Sequence, residues 1–326
     1  MDWDSDHGFS TVKLELKDDY EGRAEATLVY RKSKKPSSKA ILYVHGFVDY
    51  FYQLDLADWA NNIGFNFYAI DLRKYGRSML PHQKPNHIRN IEEYYEELDL
   101  AVDIIRKKDR NNFLALMGHS TGGLITPLYT HDRAKEKTIN ALILNSPFFE
   151  FNAPDFLLKT AIPLFASIGK SFPEVKSPLK LEEGYPKSLH KEFYGEWHFD
   201  FKMKPVEGFK IHFGWIRAIH QAHKRLQKGL KVDCPVLLLH SSASTKPGKY
   251  NDDMQTADAV LNVEHMKKYG PGLGTDVQMV EIPEGKHDLV LSGEEARKLT
   301  YNKMKTFLDS LTTKNKPKKK NIKPRQ

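Results

Sequence analysis

The sequence predicts an α/β protein with a mostly parallel, doubly wound sheet, antiparallel N-terminal strands and a helical cap insertion. Three observations support this fold class. Continuous apolar runs recur along the chain, and such runs are typical of parallel strands that are covered on both faces. Segments with helical periodicity lie between these runs. Finally, residues 148–230 interrupt the alternation with a stretch that is dense in aromatic side chains.

The predicted strands begin with two segments whose apolar residues alternate, which indicates an antiparallel hairpin of half-buried strands. These two segments are residues 11–16 and 26–30, and the continuous runs that follow are residues 40–44, 65–70, 113–117, 141–144, 236–239 and 277–282. Three-and-four spacing of apolar residues predicts one helix over 91–105 and another over 294–311. Because parallel strands are joined by right-handed crossovers, this alternation gives a doubly wound sheet.

The interval 148–230 is predicted to form the helical cap. It follows the run at 141–144, and ligands of α/β sheets bind at the carboxyl ends of the strands. Some of its aromatic rings must form the core of the cap itself, and we expect only a minority to face a ligand. The chain then divides into a core at 1–147 and 231–311, the cap at 148–230, and a basic, disordered tail at 312–326.

Composition and charge exclude several classes of protein. The net charge is +8, but seven lysine and arginine residues between positions 312 and 326 account for all but one unit of it. We therefore expect no nucleic-acid partner and at most weak contact of the tail with a membrane surface. The single cysteine, Cys234, excludes an intramolecular disulfide and a thiolate zinc cluster, and its place before an apolar run indicates a core residue. An acidic N-terminus and the lack of a long apolar run predict a cytoplasmic protein without a transmembrane helix.

The segment Gly118-His119-Ser120-Thr121-Gly122 carries the strongest functional signal. It lies between the run at 113–117 and a helix-compatible stretch at 124–129, so Ser120 stands at a sharp turn from strand to helix. A serine between two glycines in this context is a nucleophile elbow, in which the glycines avoid collisions with the neighbouring strand and helix. The amide dipoles of the helix that begins here point at negative charge developing near the Ser120 hydroxyl.

A serine nucleophile needs a general base and an orienting acid, and in this arrangement the chain order is Ser, acid, His. Two histidines, His265 and His287, lie beyond the run at 236–239 and away from it. His287 follows the last predicted strand directly, where a loop can bring its imidazole to Ser120. His265 falls in a helix-like segment, where a surface position is the better expectation. The sequence therefore predicts His287 as the base.

Two backbone amides are expected to stabilise the oxyanion. One belongs to Thr121, the residue after the nucleophile, and the other to Phe47, in the loop after the run at 40–44. Gly46 permits the tight turn that aims the Phe47 amide inward. His45 is expected to have a structural role, as a hydrogen-bond partner of this loop.

No cofactor or metal is predicted. His220 and His223 lie on a helix-like run without a third ligand nearby, so we interpret them as a polar helix face. The glycines between positions 270 and 274 do not form a dinucleotide fingerprint, because no strand leads into them at the required spacing.

These motifs resemble those of the α/β-hydrolase superfamily over most of the chain. The matching segments are residues 45–47 (HGF), 71–78 (DLRKYGRS), 118–123 (GHSTGG) and 285–288 (GKHD). In the second segment Lys74 stands where glycine is usual, which predicts a looser turn. The histidine before Ser120 is similar to that of the monoacylglycerol lipase and lysophospholipase group, which shares its fold with the serine aminopeptidases. The resemblance implies an α/β-hydrolase fold, and it excludes the branches that attack through aspartate.

The acid is less clearly marked, because no carboxylate lies between His240 and Tyr250, where it would normally follow the strand. Asp252, Asp253 and Asp258 are the candidates. We expect Asp258, because an apolar pair and then a helix capped near Asn262 follow it, which resembles the segment after the acid in many such enzymes. This requires residues 244–256 to be an inserted loop.

The function that follows is a serine esterase without cofactors, acting on a small-molecule ester that is monoacylglycerol- or lysophospholipid-like. Ser120 would attack the carbonyl, His287 would serve as base and then acid, and Asp258 would fix the imidazole tautomer. An amidase or aminopeptidase of the same fold is an alternative. A hydrolase-like protein that binds a ligand without turnover is another.

Overall fold

The computed structural model describes residues 3–312, and the chain forms one eight-stranded sheet flanked by helices. The strands are β1 (Ser10–Glu15), β2 (Glu25–Arg31), β3 (Lys39–Val44), β4 (Asn66–Asp71), β5 (Phe113–His119), β6 (Ala141–Asn145), β7 (Val236–Ser241) and β8 (Val277–Ile282). All the predicted strands are present, with ends that differ by at most two residues. Apart from Thr312, the predicted basic tail at 312–326 lies outside the described residues.

The helices lie between the strands and before and after them. They are α1 (Trp3–Asp6), α2 (Leu54–Asn62), α3 (Tyr95–Asp103), α4 (Thr121–Asp132), α5 (Asp155–Lys159), α6 (Ala161–Ser171), α7 (Gly184–Leu189), α8 (Phe213–Gln227), α9 (Val263–Tyr269) and α10 (Glu294–Thr312). Short 3-10 helices occur at Gly76–Ser78, Ile91–Tyr94, Ala134–Glu136, Asp252–Gln255, Gly270–Leu273 and Leu289–Leu291, and a π-helical turn at Ile104–Lys108 continues α3. Within the described part of the chain, no helix combines the length and apolarity needed to cross a membrane.

The strand order is β1-β2-β4-β3-β5-β6-β7-β8. β2 pairs antiparallel with β1 and β4, and the other neighbouring strands are parallel. The central strands β5 and β6 are buried along their whole length, because one apolar layer with α3, α4 and α8 covers one face and a second with α2 and α10 covers the other. The predicted fold class, an α/β-hydrolase sheet with antiparallel N-terminal strands, is confirmed.

Residues 148–230, which we call the cap segment, lie between β6 and β7 and contain α5 to α8. α8 packs on α6 and also contacts α4 of the core. The approach to α6 is close: a Cβ on Gly169 would lie 2.2 Å from the Phe213 carbonyl oxygen. The two longest helices of the cap segment therefore pack closely together, and α8 joins them to the core at α4.

The turn after β4 differs from its prediction, because Lys74 does not loosen it. Lys74 has a φ of +66° and is fully buried. Its ammonium lies 2.7 Å from a carboxylate oxygen of Asp19 and 2.8 Å from one of Glu21, and 4.3 Å from the centre of the Tyr20 ring. Its carbonyl accepts a hydrogen bond from the Asn86 backbone N–H. The two ion pairs and the ring fix a conformation that glycine usually provides, so the prediction of a looser turn was wrong.

Candidate active site

Ser120 lies at the sharp turn between β5 and α4. Its backbone has φ +52° and ψ −114°, a strained conformation for a residue other than glycine. A Cβ on Gly118 would lie 2.3 Å from the Gly122 carbonyl oxygen, and one on Gly122 would lie 2.2 Å from the Val44 carbonyl oxygen. Side chains at these positions would collide with the helix and with β3, as the sequence indicated. The turn therefore has the geometry of a nucleophile elbow.

Ser120, His287 and Asp258 form one hydrogen-bonded chain. His287 Nε2 lies 2.9 Å from Ser120 Oγ, and His287 Nδ1 lies 2.9 Å from Asp258 Oδ2. A carboxylate only accepts, so Nδ1 carries the proton in the neutral imidazole and Nε2 accepts from the serine hydroxyl. All three residues are buried. The arrangement can transfer the hydroxyl proton to the imidazole as the oxygen attacks an electrophile.

Asp258 reaches this position through an excursion of the chain after β7. Residues 244–257 leave the sheet and return, so that the Asp258 N–H donates to the Ala243 carbonyl and the Asp258 carbonyl accepts from the Thr245 N–H. The second carboxylate oxygen, Oδ1, accepts from the backbone N–H groups of Val260 and Leu261. The aspartate thus lies beside the end of β7 in space, although many residues separate the two in sequence.

The other candidate acids lie elsewhere. Asp252 and Asp253 occupy the exposed 3-10 helix at Asp252–Gln255, in the middle of the excursion. The Tyr250 hydroxyl donates to Asp252 at 3.1 Å. The structure therefore brings Asp258 to His287 and leaves Asp252 and Asp253 at the surface.

The loop after β3 passes directly beside Ser120. A Cβ on Gly46 would lie 3.1 Å from the Ser120 Cβ, so glycine allows the close approach. Phe47 and Thr121 both line the same cavity as Ser120. The His45 ring accepts from the Leu72 N–H and contacts the Gly46 carbonyl at 2.8 Å, which agrees with the structural role predicted for it.

A second polar network, which the sequence analysis missed, supports the loop that carries His287. Asp288 is buried and accepts from the side-chain amides of Asn145 (2.6 Å) and Gln53 (3.3 Å). The Asn145 carbonyl accepts a hydrogen bond from the Ser120 N–H, so Asn145 connects the loop that carries His287 with the turn that carries Ser120. His119 lies 4.0 Å from Asp288, and burial lowers the pKa of its imidazole. The sequence signal was the Asp that directly follows the predicted base.

Ser120 and His287 open into a cavity of about 370 Å³ between the core and the cap segment, within the usual range of small-molecule sites. Its wall is largely apolar. The apolar lining includes Phe148, Phe151, Leu181, Val206, Trp215 and Leu261. Only a minority of the cap aromatics reach the cavity, as expected.

One buried ion pair interrupts this apolar wall. Lys204 of the cap segment lies with its Nζ 2.6 Å from Asp49 Oδ1, and both side chains are almost completely buried. Burial acts to raise the pKa of the Asp49 carboxyl, but the neighbouring Lys204 ammonium and nearby histidines hold it below its ordinary value. No motif in the sequence marks either residue, because the two are far apart in the chain.

Three of the remaining residues that the sequence singled out do not line the cavity that contains Ser120. Cys234 is buried, and burial raises the pKa of its thiol to about 12, so its predicted core role is confirmed. His223 is buried and contacts the Phe148 carbonyl at 2.9 Å, so its assignment to a polar helix face was wrong. His265 is half-buried rather than exposed on α9.

Comparison with known proteins gives a family and a fold. The sequence model of the serine aminopeptidase family, S33, matches residues 35–294. No curated protein sequence matches the chain.

Solved structures of low sequence identity share the fold. A soluble variant of monoglyceride lipase from Saccharomyces cerevisiae, in complex with a substrate analog, has a TM-score of 0.69 and 18% identity over 91% of this chain and 94% of that one. Monoacylglycerol lipase from Paleococcus ferrophilus has a TM-score of 0.63 and 18% identity over 93% and 99%. Est1E from Butyrivibrio proteoclasticus with bound ferulic acid has a TM-score of 0.57 and 19% identity over 89% and 96%.

Proposed function

Because the chain belongs to the serine aminopeptidase family, S33, we propose that it is a serine hydrolase that cleaves carboxylic esters through an acyl-enzyme. The observation that carries this proposal is the hydrogen-bonded chain from Ser120 through His287 to Asp258, at the wall of a largely apolar cavity. A serine with such partners is activated as a nucleophile.

In the proposed reaction, Ser120 Oγ attacks the ester carbonyl while its proton moves to His287 Nε2. The backbone amides of Phe47 and Thr121 stabilise the tetrahedral oxyanion. The imidazolium then gives its proton to the departing alcohol, which leaves an acyl group on Ser120. Water attacks this acyl-enzyme, and its proton returns through His287 to the serine as the carboxylic acid is released.

The proposed substrates are amphipathic esters of the monoacylglycerol or lysophospholipid type. The apolar lining of the cavity suits an acyl chain, whose transfer from water is favourable. Asn152, Lys180 and Glu182 line the same cavity and are exposed, so they suit a polar head group that stays near solvent.

An aminopeptidase of the same fold is the second candidate, and the family description favours it. Recognition of a free α-amino group needs a carboxylate that is available to it. Asp49 is already paired with Lys204 inside the cavity, which argues against this role for Asp49. Glu182 at the rim is the other lining carboxylate.

The first experiment tests the nucleophile. The wild type should hydrolyse p-nitrophenyl butyrate and react with a fluorophosphonate probe, and Ser120→Ala should abolish both. Ser310→Ala, an exposed serine on α10, is the matched control and should behave as wild type. Full labelling of the Ser120 variant would show that another residue reacts, and a wild type without labelling would favour a protein that only binds its ligand.

The second experiment tests the substrate class. We would measure kcat/KM for a monoacylglycerol, a lysophosphatidylcholine with the same acyl chain, and a dipeptide amide. The two lipids should be hydrolysed faster than the amide. Faster turnover of the amide would instead support the aminopeptidase.

A further inference from the structure

The loop at 45–53 carries the Phe47 amide, and we call it the oxyanion loop; the cap segment holds it in place. Four of its side chains contact cap residues. These contacts are Phe47 on the Trp215 ring (4.1 Å between centres), Asp49 with Lys204 (2.6 Å), the Tyr50 hydroxyl accepting from the Asp200 N–H (2.8 Å), and Tyr52 on the Phe199 ring (5.3 Å). The cap is therefore in contact with the middle of the loop as well as covering the cavity.

The core holds the two ends of the same loop. At the start, the His45 ring bonds to the Gly46 carbonyl and the Leu72 N–H. At the other end, the Phe51 N–H donates to Asp71 Oδ1, and the Gln53 side chain donates to the Tyr43 hydroxyl. Phe47, Asp49 and Tyr50 lie between these anchors, and Tyr52 lies within the second one, between Phe51 and Gln53.

The middle of the loop is also strained. Val48, between Phe47 and Asp49, has a φ of +49°, which a β-branched residue adopts only when its surroundings enforce it. The cap contacts lie on both sides of this residue, at Phe47 and at Asp49. Without them we expect Val48 to relax toward negative φ, and the loop segment that carries the Phe47 amide would shift with it.

Lys204 is the most directed of these contacts. Its ammonium lies near the Tyr52 and Phe199 rings, at 5.2 and 5.5 Å from their centres, and its backbone N–H donates to the Asp200 carbonyl. The short cap turn at 199–204 thus meets the loop through an ion pair, a hydrogen bond and a ring contact. A buried lysine is tolerated only with a well-placed partner, so the pair fixes the distance between turn and loop.

We infer that Lys204 is a positioning residue for the hydrolysis: its ion pair with Asp49 ties the cap to the oxyanion loop and holds the Phe47 amide in place. The oxyanion hole is then complete only when the cap segment is seated on the core. This inference rests on the proposed function, because it assigns to Phe47 a role in stabilising the tetrahedral intermediate.

The expected effect of removing the ion pair is on kcat. Loss of an oxyanion donor lowers kcat by about 10²–10³-fold, and a displaced donor retains part of its effect, so Lys204→Met should lower kcat by roughly 10–100-fold. KM for p-nitrophenyl butyrate should change by less than about threefold, since the apolar side chains that line the cavity and bind the ground state are all retained. The inhibition constant of a butyl boronic acid, whose adduct with Ser120 is tetrahedral, should rise in parallel with the loss of kcat.

The test compares variants that separate the loss of the Lys204–Asp49 ion pair from the effects of an unpaired buried charge or of removing a lysine from the cap segment. Lys204→Arg keeps a cation and should restore part of kcat. Lys204→Met with Asp49→Leu removes the pair without leaving a buried charge, and should stay as slow as the single variant. Lys187→Met, which removes another ion-paired cap lysine, is the matched control and should equal wild type. Circular dichroism would show that each variant is folded.

Amide hydrogen exchange of residues 44–54 provides a readout that does not depend on turnover. Exchange of this loop should be faster in Lys204→Met than in wild type and in Lys187→Met. Unchanged exchange would overturn the inference. Recovery of wild-type kcat in the double variant would also overturn it, because the defect would then come from the unpaired charge. A higher KM with unchanged kcat and boronate affinity would overturn it as well, because Lys204 would then bind substrate. If the wild type failed to hydrolyse the ester, the proposed function would fail, and the exchange data would still decide whether Lys204 holds the loop.

Discussion

Lys286, the residue before His287, is expected to destabilise the fold below about pH 8. It is 4% exposed, and its Nζ donates to the Ser188 carbonyl at 3.1 Å. Burial lowers the pKa of its ammonium from 10.5 to about 8. At about 1.4 kcal/mol for each pKa unit, the difference corresponds to about 3 kcal/mol of unfolding free energy. The full penalty for burying the charged lysine applies at neutral pH, because the side chain is protonated there in both the folded and the unfolded chain.

The sign follows from proton linkage. Below pH 8 the folded and unfolded states are both protonated, and the penalty is complete. Between pH 8 and 10.5 the unfolded chain binds more protons than the folded one, so stability rises with pH through this window. Above 10.5 both states are neutral, and the penalty is gone.

The assay compares thermal unfolding of the wild type with Lys286→Met and Lys286→Gln. An unfolding entropy of about 2.1 cal/mol/K per residue gives roughly 0.7 kcal/mol/K for this chain, so 3 kcal/mol corresponds to about 4–5 °C in Tm. Relative to each variant, the wild-type Tm should rise by about that amount between pH 7 and 10.5. Gln keeps a donor for the Ser188 carbonyl and Met does not, so they separate the hydrogen bond from the charge. A Tm difference that stays constant with pH in both variants would refute the reasoning.

Three further predictions concern the acid, a buried histidine and the turn after β4. Asp258→Asn should lower kcat by about 10³–10⁴-fold while the fold survives, and Asp252→Asn and Asp253→Asn should cost far less; a nearly normal Asp258 variant beside an inactive Asp252 or Asp253 variant would mean that the acid lies in the excursion. Burial lowers the pKa of His87 to about 4, so the fold is destabilised progressively as pH falls from about 6.5 to 4. The Tm of the wild type should therefore fall relative to that of His87→Phe over this range, and parallel curves would contradict it. Lys74→Gly restores the residue usual in this turn, but it leaves the Asp19 carboxylate buried without a cation, while Glu21 keeps its ion pair with Lys84. It should therefore lower the unfolding free energy by about 3–5 kcal/mol, and a Tm equal to that of the wild type would show that the ion pairs of Lys74 contribute nothing.

The parts of the site that the sequence predicted are those in which backbone geometry restricts the residue type. Gly118 and Gly122 occupy positions where any Cβ would meet a carbonyl oxygen, so the elbow is visible as a pattern of glycines. The burial of β5 and β6 on both faces likewise appears as continuous apolar runs. Local patterns of this kind predicted the sheet, the nucleophile turn and the position of His287 after the last strand.

The interpretations that were wrong or incomplete depend on what a side chain meets from distant parts of the chain. Lys74 has the φ of a glycine turn because Asp19 and Glu21, on an earlier loop, bury its charge. His223 was assigned to a polar face, although the cap segment covers it. No spacing in the sequence encodes either contact.

Asp258 and Lys204 show how such contacts could still be anticipated in part. The excursion at 244–257 returns to the sheet because the backbone of Asp258 forms hydrogen bonds with Ala243 and Thr245. The aspartate therefore lies at the end of β7, where the acid would stand in a chain that lacked the excursion. The requirement for a carboxylate there is chemical, and it could be inferred from the serine and the histidine alone. The pairing of Lys204 with Asp49, 155 residues earlier, follows from no such requirement. The pairing depends on how the cap segment packs on the core. We therefore expect the ion pair between the cap segment and the oxyanion loop to be specific to this arrangement of the cap segment. The hydrogen-bonded chain from Ser120 to Asp258, in contrast, follows from the sheet.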